Sequence, residues 1–338
     1  MEVSEATKRF EKGPEELSKW SAADYGQAVL TRLATWYLRD CPVVRGRGFV
    51  NRLLGNFLEV RTLDGIRIRL INPLEHHQRM LLFGAPYEPE VTVFLREVLR
   101  PGMVFIDVGA NLGYYTLLGA KRVGSRGQVH AFEPAPLQFQ HLTLNVRTNQ
   151  VANVVLNKCA VADHVGEIQF FVSDGWNQGT HSLGMVQRNM RARQVKCTSL
   201  DEYVSEASLD RVDVVKMDVE GAELLVCRGA RRMLASLKPA VIVFEACEKW
   251  ARAVGHSTRD VKGFLEDCGY TMFRLEAGLA PVRAEASAVE EYANLVGIHA
   301  EAPELCHEQL ECAVRKCLED EGLIKEQTKA TATAMRRW

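Results

Sequence analysis

The chain has 338 residues, 47% of them hydrophobic and 25% charged, with a formal net charge of −1. That balance is ordinary for a soluble globular protein and gives no global electrostatic case for nucleic acid or an anionic membrane. No apolar run approaches the roughly 18 residues of a spanning helix, the charged N-terminus lacks a signal peptide's apolar stretch, and the cysteines form no C-x-x-C pairs, so free thiols in a cytoplasmic setting are expected.

Residues 1–56 read as a polar-rich helical extension with Leu30, Leu33, Trp36 and Tyr37 as its apolar stripe. Residues 57–86 hold a β-hairpin and linker, with two β-rich runs flanking Asp64-Gly65, a pair suited to a type I′ turn. His76-His77 has no third ligand at metal-like spacing and is read as structural. In EPEVTVFLREVLRPG, Val91, Phe94, Leu95 and Val98 share one helical face that ends at Pro101-Gly102. From residue 103, apolar strands (MVFIDVG, GQVHAFEP, VVLNKCAVA, GEIQFFVS, DRVDVVKMDVEG, PAVIVFEAC) alternate with helices, and strands near 271–275 and 294–299 close the sheet. This rhythm over residues 87–300 predicts an α/β, doubly wound, mostly parallel sheet with helices on both faces. Residues 173–196 read as a loop of the kind that forms lids. In it Trp176 and His181 either touch an acceptor or pack, and Arg188, Arg191, Arg193 and Lys196 either attract an anionic acceptor or form a solvated face. Residues 301–338 read as a charged helical tail with Leu310, Val314 and Leu318 on one side.

Ligands of such sheets bind beyond the carboxyl ends of the strands, so those ends carry the functional argument. The first strand runs into Asp107 and then Gly109-Ala110-Asn111-Leu112-Gly113. A dinucleotide turn is G-x-G-x-x-G, and here the middle glycine is missing. A carboxylate at Asp107 repels a pyrophosphate but suits a cationic ligand such as S-adenosylmethionine. Gly109 and Gly113, lacking Cβ, would let the backbone approach that ligand. Glu133 ends the second strand, where it can accept both ribose hydroxyls while contributing little to the core. Cys159 and Ala160 are small enough to border an adenine ring, and Asp163 is read as a turn residue.

With these features in place the sequence resembles the FkbM family of S-adenosylmethionine-dependent methyltransferases. The resemblance rests on YEPEVTVFLREVLRPGMVFIDVGANLGYYTLLGA, GQVHAFEPAP, TSLDEYV and VVKMDVEGAE, in order over about 87–275. It implies a class I, Rossmann-like methyltransferase fold of seven strands, one of the last pair antiparallel. It implies a cofactor site at Asp107, Gly109, Asn111, Gly113 and Glu133, with Tyr87-Glu88 closing over the methionine end. It also implies a small-molecule, natural-product or sugar hydroxyl as acceptor. Asp201 is a landmark of the family, read here as the N-cap of the LDEYV helix.

Transfer to an aliphatic hydroxyl calls for a general base or a metal. Asp218 and Glu220 follow the fourth strand and Glu245 ends the fifth, so these three can converge on one acceptor. Crowded like charges raise a carboxylate's pKa and favour a base; alternatively Asp218 and Glu245 bind Mg²⁺ or Mn²⁺. Glu220 and Glu223 can also simply favour the dipole of the next helix. A nitrogen or RNA acceptor, and a cofactor-binding protein without catalysis, stand as alternatives.

Overall fold

The computed structural model describes residues 58–72, 75–82, 87–173, 181–184, 190–275, 282–285 and 287–302. The proposed extension over 1–56, Trp176, Arg188 and nearly all of the tail over 301–338 lie outside the described residues. Residues 58–82 belong to one compact unit and those from Tyr87 onward to another.

In the first unit β1 (Glu59–Arg61) pairs antiparallel with β2 (Arg67–Arg69), followed by α1 (His76–Leu82). The hairpin is present but its turn is not type I′. Gly65 N–H donates to the Thr62 carbonyl at 2.9 Å and Gly65 alone of the Asp-Gly pair has positive φ, at 69°. The left-handed position therefore falls on the last residue of the four-residue turn Thr62–Gly65, the residue without a Cβ.

The second unit opens with α2 (Pro89–Val98), β3 (Val104–Val108), α3 (Tyr114–Val123), β4 (Gln128–Phe132), α4 (Pro136–Thr148) and β5 (Val154–Asn157). Proline at N1 and the buried face of Val91, Phe94, Leu95 and Val98 make α2 the amphipathic helix expected. The chain then leaves the main sheet for β6 (Ala160–Val161), β7 (Gly166–Ser173), β8 (His181–Ser182) and β9 (Met190–Thr198). These form a separate four-stranded sheet in the order β6-β9-β7-β8. The loop expected over 173–196 is thus in part a strand: β9 pairs antiparallel with the whole of β7, and Arg191, Arg193 and Lys196 lie on it. Most of β9 is exposed, so no apolar alternation marks it as a strand.

The chain returns through α5 (Leu200–Glu206), β10 (Val214–Met217), α6 (Glu223–Gly229), α7 (Arg231–Ser236), β11 (Val241–Cys247), α8 (Glu248–Val254), α9 (Thr258–Asp267), β12 (Tyr270–Leu275), β13 (Val282–Arg283) and β14 (Tyr292–His299). The main sheet has the order β13-β12-β14-β11-β10-β3-β4-β5. From β5 to β11 all neighbours are parallel, whereas β14 runs antiparallel between β11 and β12. The order reverses between β3 and β10, the switch point where such sheets open a crevice.

Burial on both sheet faces follows from alternation. Ile106, Val108, Val215, Met217, Ile242 and Phe244 join Leu224, Val226, Val261 and Leu265 in one core cluster. On the other face α3 packs so closely that a Cβ on Gly119 would meet the Phe105 ring at 2.4 Å. Asp107 shares that second face, which brings it against α3.

Asp201 does not cap its own helix. Ser199 accepts from Glu202 N–H at 3.2 Å, while the Asp201 carboxylate accepts Met233 N–H at 2.7 Å and Arg232 N–H at 3.0 Å. It satisfies free donors at the start of α7, a partnership no local pattern in the sequence reveals.

Candidate active site at the carboxyl ends of the strands

Asp107 is fully enclosed: Oδ2 accepts from the Thr116 hydroxyl at 2.6 Å and Oδ1 has no partner. Burial raises its pKa, with Lys216 and Thr116 acting in opposition. Register places Lys216 of β10 directly beside it. The Lys216 ammonium donates to Asp218 Oδ2 at 3.0 Å and sits 4.6 Å from the centroid of the Tyr115 ring. Burial disfavours that charge, but Asp218, Asp107 and Glu88 outweigh it and hold the lysine pKa above its ordinary value. The Tyr115 hydroxyl donates to Glu88 at 2.7 Å, and Tyr87 stacks on Tyr114 with centroids 5.0 Å apart.

The Gly109–Gly113 turn holds left-handed conformations at Gly109 (φ 80°), Asn111 (φ 49°) and Gly113 (φ 90°). The vacant Cβ positions face protein rather than ligand, contrary to the expectation. A Cβ on Gly109 would lie 1.9 Å from the Asp218 carbonyl oxygen, and one on Gly113 would lie 2.6 Å from the Leu142 side chain. Asp218 N–H also donates to the Val108 carbonyl at 2.9 Å, so the turns after β3 and β10 are pressed together.

Glu133 is also more deeply engaged than a peripheral strand-end carboxylate. It is 5% exposed, and its two oxygens accept Asn111 N–H and Ala135 N–H, each at 2.8 Å. Burial lifts its pKa to about 7 despite those bonds. Ala160 pairs with Cys197 and packs with Ala162 and Cys197, and it does not line the cleft described next.

A cleft opens over the ends of β10 and β11, with Glu88, Lys216, Asp218, Glu245 and Asn294 in its lining. Glu245 is pushed well above the usual carboxylate range by burial and then by Asp218, with a hydrogen bond from Tyr292 opposing. Glu220 is raised similarly, by burial and by the charges of Asp218, Glu245 and Glu223, and its Oε2 is buried with no partner. Its backbone is fixed: φ is 53°, the Ser182 hydroxyl donates to its carbonyl at 2.5 Å, and Gly221 is wedged against the Trp250 backbone. Glu223, by contrast, opens α6 and accepts Gly221 N–H at 3.3 Å, a role in the local turn.

The three carboxylates expected to converge, Asp218, Glu220 and Glu245, therefore do come together. Sequence reasoning missed the partners Tyr115, Asn294 and Tyr292 and undervalued Lys216. A lysine inside the apolar run VVKM was the one available signal, since an unpaired charge is not tolerated there. Among the described residues, no group of three or more His, Cys, Asp or Glu side chains is arranged to hold a metal ion. No helix among them is long and apolar enough to cross a membrane.

Counted along its parallel part, the sheet places the first strand beside the fourth, with the antiparallel last strand between the fifth and sixth. That order, with acidic residues ending successive strands, defines a class I methyltransferase fold. Residues 107–272 match the Methyltransferase FkbM domain, so this part of the chain is an S-adenosylmethionine-dependent methyltransferase domain of that family. It is 29% identical over 178 residues to Methyltransferase 1 of Beauveria bassiana, covering 47% of this chain and 71% of that one. It is 30% identical over 159 residues to the hexuronic acid methyltransferase AglP of Haloferax volcanii, covering 47% of this chain and 63% of that one. It is 29% identical over 170 residues to the 31-O-demethyl-FK506 methyltransferase FkbM of Streptomyces tacrolimicus, covering 42% of this chain and 62% of that one. The chain thus spans less than two thirds of the latter two relatives.

Proposed function

We propose that the chain methylates a hydroxyl group on a small molecule or sugar, with Glu245 accepting the hydroxyl proton. The observation that carries this reading is Glu245 in the lining of the cleft, raised well above the usual carboxylate range by burial and Asp218, with Glu220 in the same cluster of charges but outside that lining. A group of that kind is a competent proton acceptor near neutral pH, which an ordinary carboxylate is not. Asp218 is engaged by the Lys216 ammonium at 3.0 Å, and it serves to orient rather than to take the proton. The names of two relatives, a hexuronic acid methyltransferase and a 31-O-demethyl-FK506 methyltransferase, accord with a hydroxylated acceptor.

S-adenosylmethionine supplies an electrophilic methyl group on a sulfonium that leaves readily. The residues present fit it. The orphaned Asp107 Oδ1 is the group to accept the cofactor's ammonium, and Glu133 retains lone pairs for ribose hydroxyls. Glu88 lines the cleft and is held by the Tyr115 hydroxyl, and Tyr87 beside it stacks on Tyr114. Holding the acceptor oxygen behind the methyl supplies the larger part of the acceleration. Glu245 removes the proton as the new bond forms, worth roughly 10²–10⁴ in rate.

The test combines product discovery with one variant. Extracts are incubated with methyl-labelled cofactor and the labelled product is identified by mass spectrometry. Glu245→Gln is then assayed on that acceptor, with turnover expected to fall by about that factor while S-adenosylhomocysteine affinity changes less than about tenfold. Label on nitrogen, or full turnover in the variant, refutes the reading.

A further inference from the structure

The residue before α2 is held in a conformation that its helix does not need. Glu88 is the N-cap of α2 with φ 37° and ψ 76°, a left-handed setting that strains any residue with a Cβ. An N-cap side chain ordinarily accepts from the first turn of its own helix, but the Glu88 side chain makes no such bond. It lines the cleft instead, and its Oε2 accepts the Tyr115 hydroxyl at 2.7 Å. Strain of this kind persists where the surroundings over-determine it, and here the surroundings are aromatic. The Tyr115 ring is buried, meets the Tyr87 ring edge-on at 5.6 Å and the Tyr114 ring at 5.2 Å, and has the Lys216 ammonium 4.6 Å from its centroid. The Thr92 hydroxyl donates to the Tyr87 carbonyl, which pins the residue next to Glu88. A ring enclosed in this way holds its phenolic oxygen in one place, beside the Glu88 carboxylate.

Sheet order sets what Glu88 faces. Glu133 follows the end of β4, whereas the cleft lies over β10 and β11, on the other side of β3. A cofactor whose ribose is held at Glu133 therefore extends its sulfur and amino-acid end across β3 toward this cleft. We propose that Tyr115 is a positioning residue that aims the Glu88 carboxylate at the cofactor's ammonium group. The inference rests on the cofactor reading above and adds two residues to it. An ammonium carries three N–H donors, so it can meet Glu88 and Asp107 together. The backbone strain at Glu88 then has a use: it turns the carboxylate away from its own helix and toward the ligand.

The test is calorimetric titration of the full chain, Tyr115→Phe, Glu88→Ala and the double variant with S-adenosylhomocysteine, which keeps the ammonium and lacks the sulfonium charge. Glu88→Ala removes a charge-assisted bond and should weaken binding about tenfold or more. Tyr115→Phe keeps the ring against Lys216, removes only the hydroxyl, and should weaken binding about fivefold. The double variant should bind no more weakly than Glu88→Ala alone, because Tyr115 acts through Glu88. Methylthioadenosine keeps the nucleoside and the sulfur without the amino-acid end, so its affinity should be the same in every variant. A Tyr115→Phe effect that persists in full on the Glu88→Ala background marks a general loss of structure and overturns the proposal. So does full S-adenosylhomocysteine affinity in either single variant, or an equal loss for both ligands. Should Glu88→Ala fail to fold, Glu88→Gln, which keeps an oxygen for the phenol but not the charge, must still weaken S-adenosylhomocysteine binding and spare methylthioadenosine. Failure of the unmodified chain to bind S-adenosylhomocysteine overturns the cofactor reading itself.

Discussion

Replacing Gly109 by alanine isolates the contact that locks the site together. Gly109 has φ of 80°, and an added Cβ would lie 1.9 Å from the Asp218 carbonyl oxygen and 2.8 Å from its carbonyl carbon. The turns after β3 and β10 would have to part by about 1.5 Å to restore contact near 3.5 Å. Left-handed backbone costs a residue with a Cβ roughly 1–2 kcal/mol. Overpacking adds about 1–3 kcal/mol, and more where the obstacle is backbone. Gly109→Ala should therefore lose about 2–5 kcal/mol in urea unfolding, together with most of its affinity for S-adenosylhomocysteine, because Asp218 and the Asn111 N–H move. Gly102 supplies the control: its φ is 90° but nothing lies within 4 Å of the Cβ position. Gly102→Ala should cost only the backbone strain, about 1–2 kcal/mol, and leave ligand binding intact. Equal losses in the two variants, or unchanged ligand affinity in Gly109→Ala, would refute the argument that the Gly109–Asp218 contact sets the geometry of the site.

Other substitutions test the electrostatics. Glu133→Ala should weaken S-adenosylhomocysteine binding by about 1.5–3 kcal/mol and also destabilise the fold, since two buried N–H groups lose their acceptor; a loss of affinity without any loss in urea midpoint counts against the structural half. Lys216→Met leaves Asp107 and Asp218 without their shared cation and should cost about 3–5 kcal/mol in the same unfolding experiment. Glu133 and Glu223 each have a folded pKa of about 7, raised from 4.5 chiefly by burial. The folded state therefore binds their protons more tightly, and stability from this source is complete below pH 4.5 and lost as pH rises through 7. Unfolding midpoints should fall between pH 5.5 and 8, and a rising midpoint over that interval would contradict the assignment.

The doubly wound core was legible because its signals are local. Apolar strands buried on both faces, a proline opening α2 and carboxylates at strand ends need only a few residues each to be recognised. The convergence of Asp218, Glu220 and Glu245 was legible too, since strand order alone brings their ends together. What escaped were partnerships across the sheet. The role of Gly109 depends on a carbonyl over a hundred positions away, and that of Asp201 on amides of α7, so neither leaves a spacing to read. Lys216 was visible in VVKM, but its partner Asp107 appears only once β10 is laid beside β3. The side sheet was hidden for a different reason: β7 and β9 pair with each other, so neither follows the strand–helix alternation that identifies the rest.

The position of β14 bears on how the chain is made. It lies between β11 and β12, although it leaves the ribosome after both. Until residues 292–299 emerge, β11 is an open edge whose backbone donors and acceptors along Val241–Cys247 have no neighbour on that side. The strand that carries Glu245 is thus the last part of the sheet to gain a partner, and a nascent chain halted before Tyr292 would present a sticky hydrophobic border in place of a finished one. The late strand acts as a bolt: the domain can be nearly complete in sequence and still unable to shut.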